Sequence, residues 1–486
     1  MKKIALTLIL MGGLYPLAMA QTASEALRYS LLNYQGTARY EALGGAFNAL
    51  GGDLSSVILN PAAGSIYKTS SFELTMGVHT PETTTEYSGM RMSESTSNFY
   101  VTGAGFIKRY EDALRTPKWD DLTLAIGYSR TNDFNREQII SGTSNTTRAQ
   151  YFSDLAQGTL YEDLIYTNPF DAELAWYTYL IDTLGAPDNY VPLVQNPVGT
   201  VASEYLTSSG GQSEISFGVS TTYDDKLHLG FGVGIPLINY SEERRYFESG
   251  LDSATNTISG WGYEQYLETI GGGINFKVGL IYRPVNWLRL AAAYHSPTWY
   301  SMEDFYSSEM TTSFSDGGSV TRLSPDGNFL YSLRTPQRIH LGGALVVAPD
   351  GLISVDYERV DYARAQFNAD DFNYGNTNSE ISQSFNDMAI WRFGTEWRIG
   401  NLYLRGGYQL WGDPIADGFS FSFERTVVSG GVGFRNNKFQ ADITVSNTRT
   451  NSDRLLYEGA PSDIGDLVSL DRNDQRMVVT LGFPFQ

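Results

Sequence analysis

Apolar and polar residues alternate with a period of two along much of the chain. In residues 122–129, leucine, isoleucine and tyrosine at every second position alternate with threonine, alanine, glycine and serine. The same alternation runs through 227–236, 402–409 and 438–446. Because successive side chains of a strand point to opposite faces, this period predicts β-strands with one apolar face.

Fourteen segments of this kind follow one another, and we expect each of them to form one strand. They lie near residues 71–79, 96–109, 121–131, 212–223, 226–245, 262–283, 286–304, 332–349, 350–368, 387–399, 401–411, 420–435, 437–450 and 473–485. An even number of antiparallel strands places the start of the first strand and the end of the last on the same side of a sheet.

The connections alternate in length. Most even-numbered segments end in a short turn, such as Asp224-Asp225 or Gly400, whereas odd-numbered segments are followed by longer polar loops, the longest at 131–211. This rhythm is typical of outer-membrane barrels. We therefore predict an all-β fold, a 14-stranded antiparallel transmembrane β-barrel whose apolar face contacts lipid. The alternative is a soluble β-sandwich, whose strands also alternate.

The first twenty residues have the pattern of a secretory signal peptide. Lys2 and Lys3 precede a short apolar run, and Ala18-Met19-Ala20 is a small-x-small cleavage signal. We expect cleavage before Gln21 and localisation in the cell outer membrane as a multi-pass barrel; the alternative is an uncleaved anchor helix.

The composition limits the classes of partner and ligand that the protein can bind. The net charge of −20 argues against a nucleic-acid partner. The chain has no cysteine, so it has neither disulfides nor thiolate metal ligands. Its 32 tyrosines and 49 glycines suit aromatic girdles at the membrane interfaces and crowded positions in a lumen.

Residues 21–70 do not alternate and precede the first strand. They contain paired glycines, Gly44-Gly45 and Gly51-Gly52, together with Phe47 and the run Asn60-Pro61-Ala62. Recurrent leucine, phenylalanine and isoleucine favour a plug or hatch in the lumen over a flexible linker. Small lumen-facing residues, such as Gly230, Gly342 and Gly407, leave space for it.

These motifs, in this order, resemble the FadL family of outer-membrane proteins, which carry long-chain fatty acids and other hydrophobic compounds. The hatch of that family contains an Asn-Pro-Ala element like Asn60-Pro61-Ala62. Residues 335–342, 356–358 and 405–408 resemble its later strands. Its barrel also has fourteen strands.

The resemblance implies passive transport. A hydrophobic ligand, with long-chain fatty acids first, would be captured by the outer loops and released past the hatch, sideways through a gap near a kinked third strand. The extreme N-terminus of family members reaches into the ligand pocket; here that segment is 21–29. The implied partners are outer-membrane lipid and lipopolysaccharide and the barrel-assembly machinery, for a protein that is a monomer. The alternative is a non-transport barrel, a component or shuttle of a protein secretion system.

The sequence favours a non-enzyme without metal or cofactor. The four histidines, His79, His228, His295 and His340, lack ligand spacing, and no Gly-x-Ser-x-Gly elbow occurs. An embedded lipid hydrolase, with a serine and a histidine on neighbouring strands, stays open as an alternative, as does a plain polar porin.

Two sets of residues are candidates for ligand binding. Arg289 and Arg405 face inward by parity, together with Asp356, Glu358 and Asp442, and either hold a fatty-acid carboxylate or belong to a salt-bridge network that fixes the hatch. In the loop 131–211, an amphipathic helix is predicted over 173–184. Its Trp176, Tyr177 and Leu180 either capture an apolar ligand or pack the loop onto the barrel.

Overall fold

The computed structural model describes residues 21–116, 118–195, 197–251, 256–347, 350–416, 423–436, 438–457 and 467–485. The predicted signal peptide, residues 1–20, lies outside the described residues.

Fourteen antiparallel strands form a closed barrel, as predicted, and each coincides with one predicted segment. In chain order they are β1 (Ser70–Tyr87), β2 (Met90–Ser95 and Asn98–Thr116), β3 (Trp119–Asp133 and Arg136–Ser144), β4 (Thr200–Tyr223), β5 (Leu227–Ser249), β6 (Ile258–Val285), β7 (Leu288–His295 and Trp299–Phe314), β8 (Gly327–Arg334 and Arg338–Val347), β9 (Gly351–Asp361 and Gln366–Asn368), β10 (Asp387–Ile399), β11 (Leu402–Trp411), β12 (Phe423–Arg435), β13 (Gln440–Leu455) and β14 (Leu467–Phe485). Pairing of β14 with β1, from Ser70↔Phe485 to Glu86↔Ser469, closes the ring.

The short turns follow from local backbone preference. Asp224 and Asp225, between β4 and β5, have φ values of 52° and 55°, the left-handed conformation of a two-residue hairpin turn. Aspartate tolerates this conformation better than bulkier residues do. Gly400, between β10 and β11, has φ 63°, a conformation that glycine adopts without strain because it has no Cβ.

The outer face of the wall is apolar, and the inner face is polar or small. On β3, Leu124 and Ile126 are exposed, whereas Thr123 and Ser129, at positions of the opposite parity, are buried. The outer face also carries exposed tryptophans: Trp391 and Trp397 on β10 are roughly 20 Å apart along the strand at ~3.3 Å per residue.

Several strands extend beyond the predicted bounds. β3 resumes at Arg136 and continues to Ser144, and β4 begins at Thr200. The predicted loop 131–211 is therefore corrected to 145–199. The prediction failed here because apolar residues such as Ile139, Ile140 and Ala202 are too few at the outer ends of these strands to give a clear alternation in the sequence.

The helix predicted over 173–184 is also shorter. Helix α6 spans Ala172–Tyr177, after α4 (Ala149–Ala156) and α5 (Leu164–Thr167). Tyr179 has φ 59°, which ends the helix, and Ile181–Thr183 then pairs with Tyr190–Pro192 in a small hairpin. The apolar spacing continues past the break because Leu180 and Ile181 are buried in the same cluster as the helix.

Residues 21–70 lie inside the barrel. They form helices α1 (Ala23–Ser30), α2 (Ala38–Ala42) and α3 (Leu54–Leu59), then a 3-10 helix (Pro61–Ile66). We call residues 21–69 the N-terminal segment. Among the described helices, none is long and apolar enough to cross a membrane.

Glycines of the wall set how closely the N-terminal segment approaches it. A Cβ placed on Gly407 would lie 2.0 Å from the backbone nitrogen of Gly44, and one on Gly230 would lie 2.3 Å from that of Ala62. Such distances leave no room for any side chain. Where the segment touches these strands, the inward-facing position therefore has to be a glycine, because even a small polar side chain would not fit.

We expect Gly407→Ala to loosen the N-terminal segment, because the added methyl group meets backbone atoms that have no rotamer to change. A destabilisation of about 1–3 kcal/mol is typical of such overpacking. Proteolysis of the segment and the urea midpoint of unfolding measure the effect.

The control is Gly343→Ala on β8, where an added Cβ meets nothing within 4 Å. Equal sensitivity of the two variants to protease would contradict the proposed contact.

Candidate functional site

A row of buried charges joins the N-terminal segment to the wall. The Arg39 guanidinium donates to both carboxylate oxygens of Glu396, at 2.8 and 2.9 Å. Arg405 donates to Glu396 at 2.5 Å and to Asp442 at 2.6 Å. All four side chains are at least nine-tenths buried, so each charge depends on its partners for compensation.

Polar contacts continue along the segment. The backbone N–H of Asn48 donates to Asp356 at 2.7 Å, and the Asn60 amide donates to Asn48 Oδ1 at 2.8 Å. Lys277, which is ion-paired with Glu214, donates to the carbonyl of Ile58 at 3.2 Å. The Asn-Pro-Ala run thus begins with a residue that ties two parts of the segment together.

Within the segment, Asp53 caps α3. Its carboxylate accepts from the Ser55 N–H at 2.9 Å and from the Thr37 hydroxyl at 2.7 Å. Burial raises the pKa of Asp53, while Arg39 acts in the opposite direction. The cap links α2 to α3 and makes residues 37–66 one folded unit.

The wall is split between β2 and β3. Their backbone pairing begins at Gly103↔Ser129 and runs toward the short turn. On the outer side of that point, β2 stays paired with β1 and β3 stays paired with β4, but the described residues give no pairing of β2 with β3. The outer half of β3 leans inward, where Thr85 on β1 donates to the carbonyl of Ile139 at 2.5 Å.

Residues 31–36 of the N-terminal segment occupy this split. The N–H groups of Asn33 and Gln35 donate to the carbonyls of Thr131 and Arg130, at 2.8 and 3.0 Å. The Ser129 hydroxyl donates to the Gln35 carbonyl at 2.7 Å. Residues 31–36 therefore lie along the edge of β3 and satisfy two of its carbonyl groups, although they form no regular strand.

Above this level, α1 forms a floor across the lumen. Arg338, which donates to Glu358 at 2.6 Å, also donates to the carbonyl of Ser30 at the end of α1. At the other end of the helix, the Gln21 amide donates to Asp304 at 2.7 Å, and the Tyr374 hydroxyl donates to Gln21.

A cavity of about 420 Å³ lies on the outer side of α1. We call it the outer cavity. Its wall carries arginines, carboxylates and tyrosines from α1, the long loop, β5, β6 and β7. Ser24 and Glu380 line it and are exposed to solvent. The outer cavity is thus an open site with a charged wall.

Two carboxylates of the outer cavity have perturbed acidity. Burial raises the pKa of Glu25 to about 7, against the opposing effect of Arg28. Burial also raises the pKa of Asp171, whose carboxylate accepts from the Tyr263 hydroxyl at 2.5 Å.

The predicted loop residues Trp176, Tyr177 and Leu180 are not among the residues that line the outer cavity. Trp176 stacks on Tyr161 with 5.4 Å between ring centroids, and the guanidinium of Arg322 lies 4.2 Å from the centre of Tyr177. Leu180 is fully buried in the apolar cluster that holds the loop on the barrel. Their role in capture remains a prediction, and all three have intramolecular partners.

Of the predicted inward-facing arginines, Arg289 contacts the N-terminal segment directly, and Arg405 is connected to it through Glu396, which also binds Arg39. Arg289 donates to the carbonyl of Leu50 at 2.6 Å, and Arg405 belongs to the charge row. His228 contacts the hydroxyl of Ser65 at 2.8 Å. Within the described ranges, no group of three or more metal-ligating residues is placed to hold an ion.

Sequence reasoning missed Arg39, Glu396 and Arg148. Arg39 lies outside any alternating segment, so parity says nothing about it. Glu396 was detectable, because it occupies an inward position of β10 by the same alternation that identified Asp356.

The fold has solved relatives. The toluene transporter TodX of Pseudomonas putida matches with 15% identity, over 93% of this chain and 98% of that chain, at a TM-score of 0.55. A FadL homologue of Pseudomonas aeruginosa matches with 10% identity, over 94% and 100%, at 0.56. The monoaromatic hydrocarbon channel CymD matches with 13% identity, over 93% and 98%, at 0.51.

No family model matches the chain, and no curated protein matches it significantly in sequence. At 10–15% identity, the structural matches establish the fold. The resemblance predicted from the sequence is confirmed at that level: the chain has the barrel fold of TodX, CymD and the FadL homologue.

We expect Arg405→Gln to destabilise the protein by about 3–5 kcal/mol, because Asp442 and Glu396 each lose a buried cationic partner. Urea unfolding measures this loss. Uptake of a fatty acid and of a neutral hydrocarbon should then change by the same factor, since the variant acts through the N-terminal segment.

Arg435→Gln is the matched control, because Arg435 lies 3.9 Å from Asp442 and is partly exposed. A selective loss of fatty-acid uptake by Arg405→Gln, at unchanged stability, would instead support direct capture of the carboxylate by Arg405.

Proposed function

We propose that this protein is a passive transporter of small hydrophobic compounds across the outer membrane, with long-chain fatty acids as the first candidates. The observation that carries the proposal is the split between β2 and β3, occupied by residues 31–36 of the same segment that fills the lumen. In this proposal, the N-terminal segment thus closes both the exit along the barrel axis and the exit through the wall.

The route begins at the outer cavity. A ligand that enters from outside meets α1, whose two ends are held by Arg338 and by Asp304 with Tyr374. Residues 31–36 follow α1 directly in the chain. A displacement of α1 therefore also moves the residues that cover the split. Movement of the segment therefore opens a path from the outer cavity into the apolar layer of the membrane.

Sideways release suits a hydrophobic ligand. Moving apolar surface from water into the bilayer is favourable by roughly 25 cal/mol per Å², so the ligand itself drives the step. The N-terminal segment acts as the hatch in this proposal. Gly44 and Gly45 lie against the wall, Gly51 and Phe47 pack within the segment, and Gly52 borders open space.

The filled lumen disfavours a role as a protein-secretion shuttle. Residues 37–66 contact the wall through the charge row and the glycines, which leaves the lower lumen to the segment itself. A secretion partner would have to displace all of these contacts.

A reversible lock tests the route. The chain has no cysteine, so Asn33→Cys with Thr131→Cys introduces a single disulfide between residues 31–36 and β3. In vesicles, the oxidised variant should take up labelled oleate no faster than protein-free vesicles do, because the split stays covered. A reductant should restore uptake.

The control lock is Thr426→Cys with Arg449→Cys, a registered pair in the uninterrupted contact of β12 with β13. It should leave uptake unchanged. Full uptake by the first variant, with its disulfide verified by mass spectrometry, would reject sideways release.

A further inference from the structure

Arg148, at the start of α4, is the feature of the outer cavity that the transport route leaves unexplained. It lines the cavity, and only 5% of the residue is exposed. Its guanidinium carbon lies 5.0 to 5.7 Å from the centres of four aromatic rings, those of Phe152, Tyr246, Tyr263 and Tyr457.

The guanidinium lacks the usual polar partners. Its Nε and Nη1 atoms are buried without a hydrogen bond. Among the described residues, no carboxylate lies within ion-pair distance of Arg148. Aromatic faces attract a cation, but they use none of the five N–H donors of the fork.

The other arginines of the cavity are already paired. Arg28 and Arg244 lie 3.5 and 3.0 Å from Glu242, and Arg454 is paired with Glu204. Arg148 therefore differs from these neighbours in holding a buried positive charge that has no carboxylate partner among the described residues and whose Nε and Nη1 donors are unused.

The two nearest carboxylates are bound elsewhere. Glu248 accepts from the Thr147 hydroxyl, the Arg148 backbone N–H, the Tyr246 hydroxyl and the Trp261 indole, at 2.6 to 3.0 Å. Asp171 accepts from Tyr263. Four neutral donors satisfy Glu248, so it does not need the guanidinium.

An unpaired buried cation is unfavourable unless something completes it. A ligand carboxylate would do so, because its two oxygens match the planar fork of an arginine. The surrounding rings would hold the apolar or aromatic body of the same ligand.

We infer that Arg148 is the anion anchor of the outer cavity, so that this site selects amphipathic organic carboxylates over neutral hydrocarbons of the same size. The inference rests on the proposed transport function and narrows its substrate class. It also moves the anchor from Arg289 and Arg405, which hold the N-terminal segment, to the long loop.

A matched pair of ligands tests the anchor: 4-ethylbenzoate and 4-ethylbenzyl alcohol, which share a ring and a chain and differ in charge. Calorimetric titration of the full-length protein in a non-ionic detergent gives the ratio of the two affinities. We expect the wild type to bind the carboxylate at least about tenfold more tightly, as charge-assisted hydrogen bonds allow.

Arg148→Gln should bring that ratio close to one, and Arg148→Lys should keep part of it. Asp171→Asn should raise the affinity for the carboxylate, because it removes a negative charge that faces the ligand. Arg359→Gln, at an exposed ion pair with Asp387, should leave the ratio unchanged.

Equal affinities in the wild type, or an unchanged ratio in Arg148→Gln, would overturn the anchor. Should Arg148→Gln fail to fold, Asp171→Asn decides alone, and an unchanged or weaker affinity for the carboxylate rejects the proposal. Vesicle uptake separates the two proposals. If the neutral alcohol enters faster than into protein-free vesicles and no carboxylate preference is found, the anchor is wrong and the transporter stands; if neither compound enters faster than into protein-free vesicles, the transporter proposal fails.

Discussion

The need to satisfy backbone hydrogen bonds in an apolar surrounding shapes the split in this barrel. In lipid, an unpaired N–H or carbonyl group is strongly unfavourable, which is why spanning sheets are closed. Here β2 and β3 part at Gly103 and Ser129, and just beyond this point the carbonyls of Arg130 and Thr131 accept hydrogen bonds from residues 31–36. At this level the N-terminal segment therefore satisfies the edge that β2 leaves unpaired.

This dependence couples the contents of the lumen to the integrity of the wall. The segment is held by buried charges that water does not solvate, such as the ion pair of Arg39 with Glu396. Removing one partner of such a pair leaves an uncompensated charge, whereas displacing a whole paired group leaves none. For the proposed release step, a concerted shift of α1 and residues 31–36 with the charge row intact therefore costs less than breaking the buried pairs one at a time. The order of the chain allows these two parts to move separately. The charge row involves Arg39 on α2, whereas residues 31–36 precede α2 and contact β3.

The sequence was informative wherever a single local rule governs the structure. Alternation located all fourteen strands and predicted which face is buried, and the two aspartates between β4 and β5 form the predicted turn. It was uninformative where two strands stop pairing. The break in β3 near Phe134 depends on contacts with β1 and with residues 31–36, which are distant in sequence. Parity also showed that Arg405 faces inward, but it could not distinguish a binding arginine from a structural one, since that depends on Glu396 and Asp442.

Arg148 illustrates the same limit at the level of chemistry. Phe152 lies one helical turn after Arg148 in α4, but Tyr246, Tyr263 and Tyr457 come from three distant segments of the chain that no local pattern connects to Arg148. What marks it is the pairing of every neighbouring arginine, a property of the whole cavity. TodX and CymD are described as channels for toluene and monoaromatic hydrocarbons, and a hydrocarbon has no use for a buried guanidinium. A cavity wall that carries a free positive charge also retains an anionic ligand more strongly than a neutral one. If the same fold serves both kinds of cargo, the discrimination lies in the outer cavity rather than at the split, where the contacts are backbone hydrogen bonds that any ligand must displace alike.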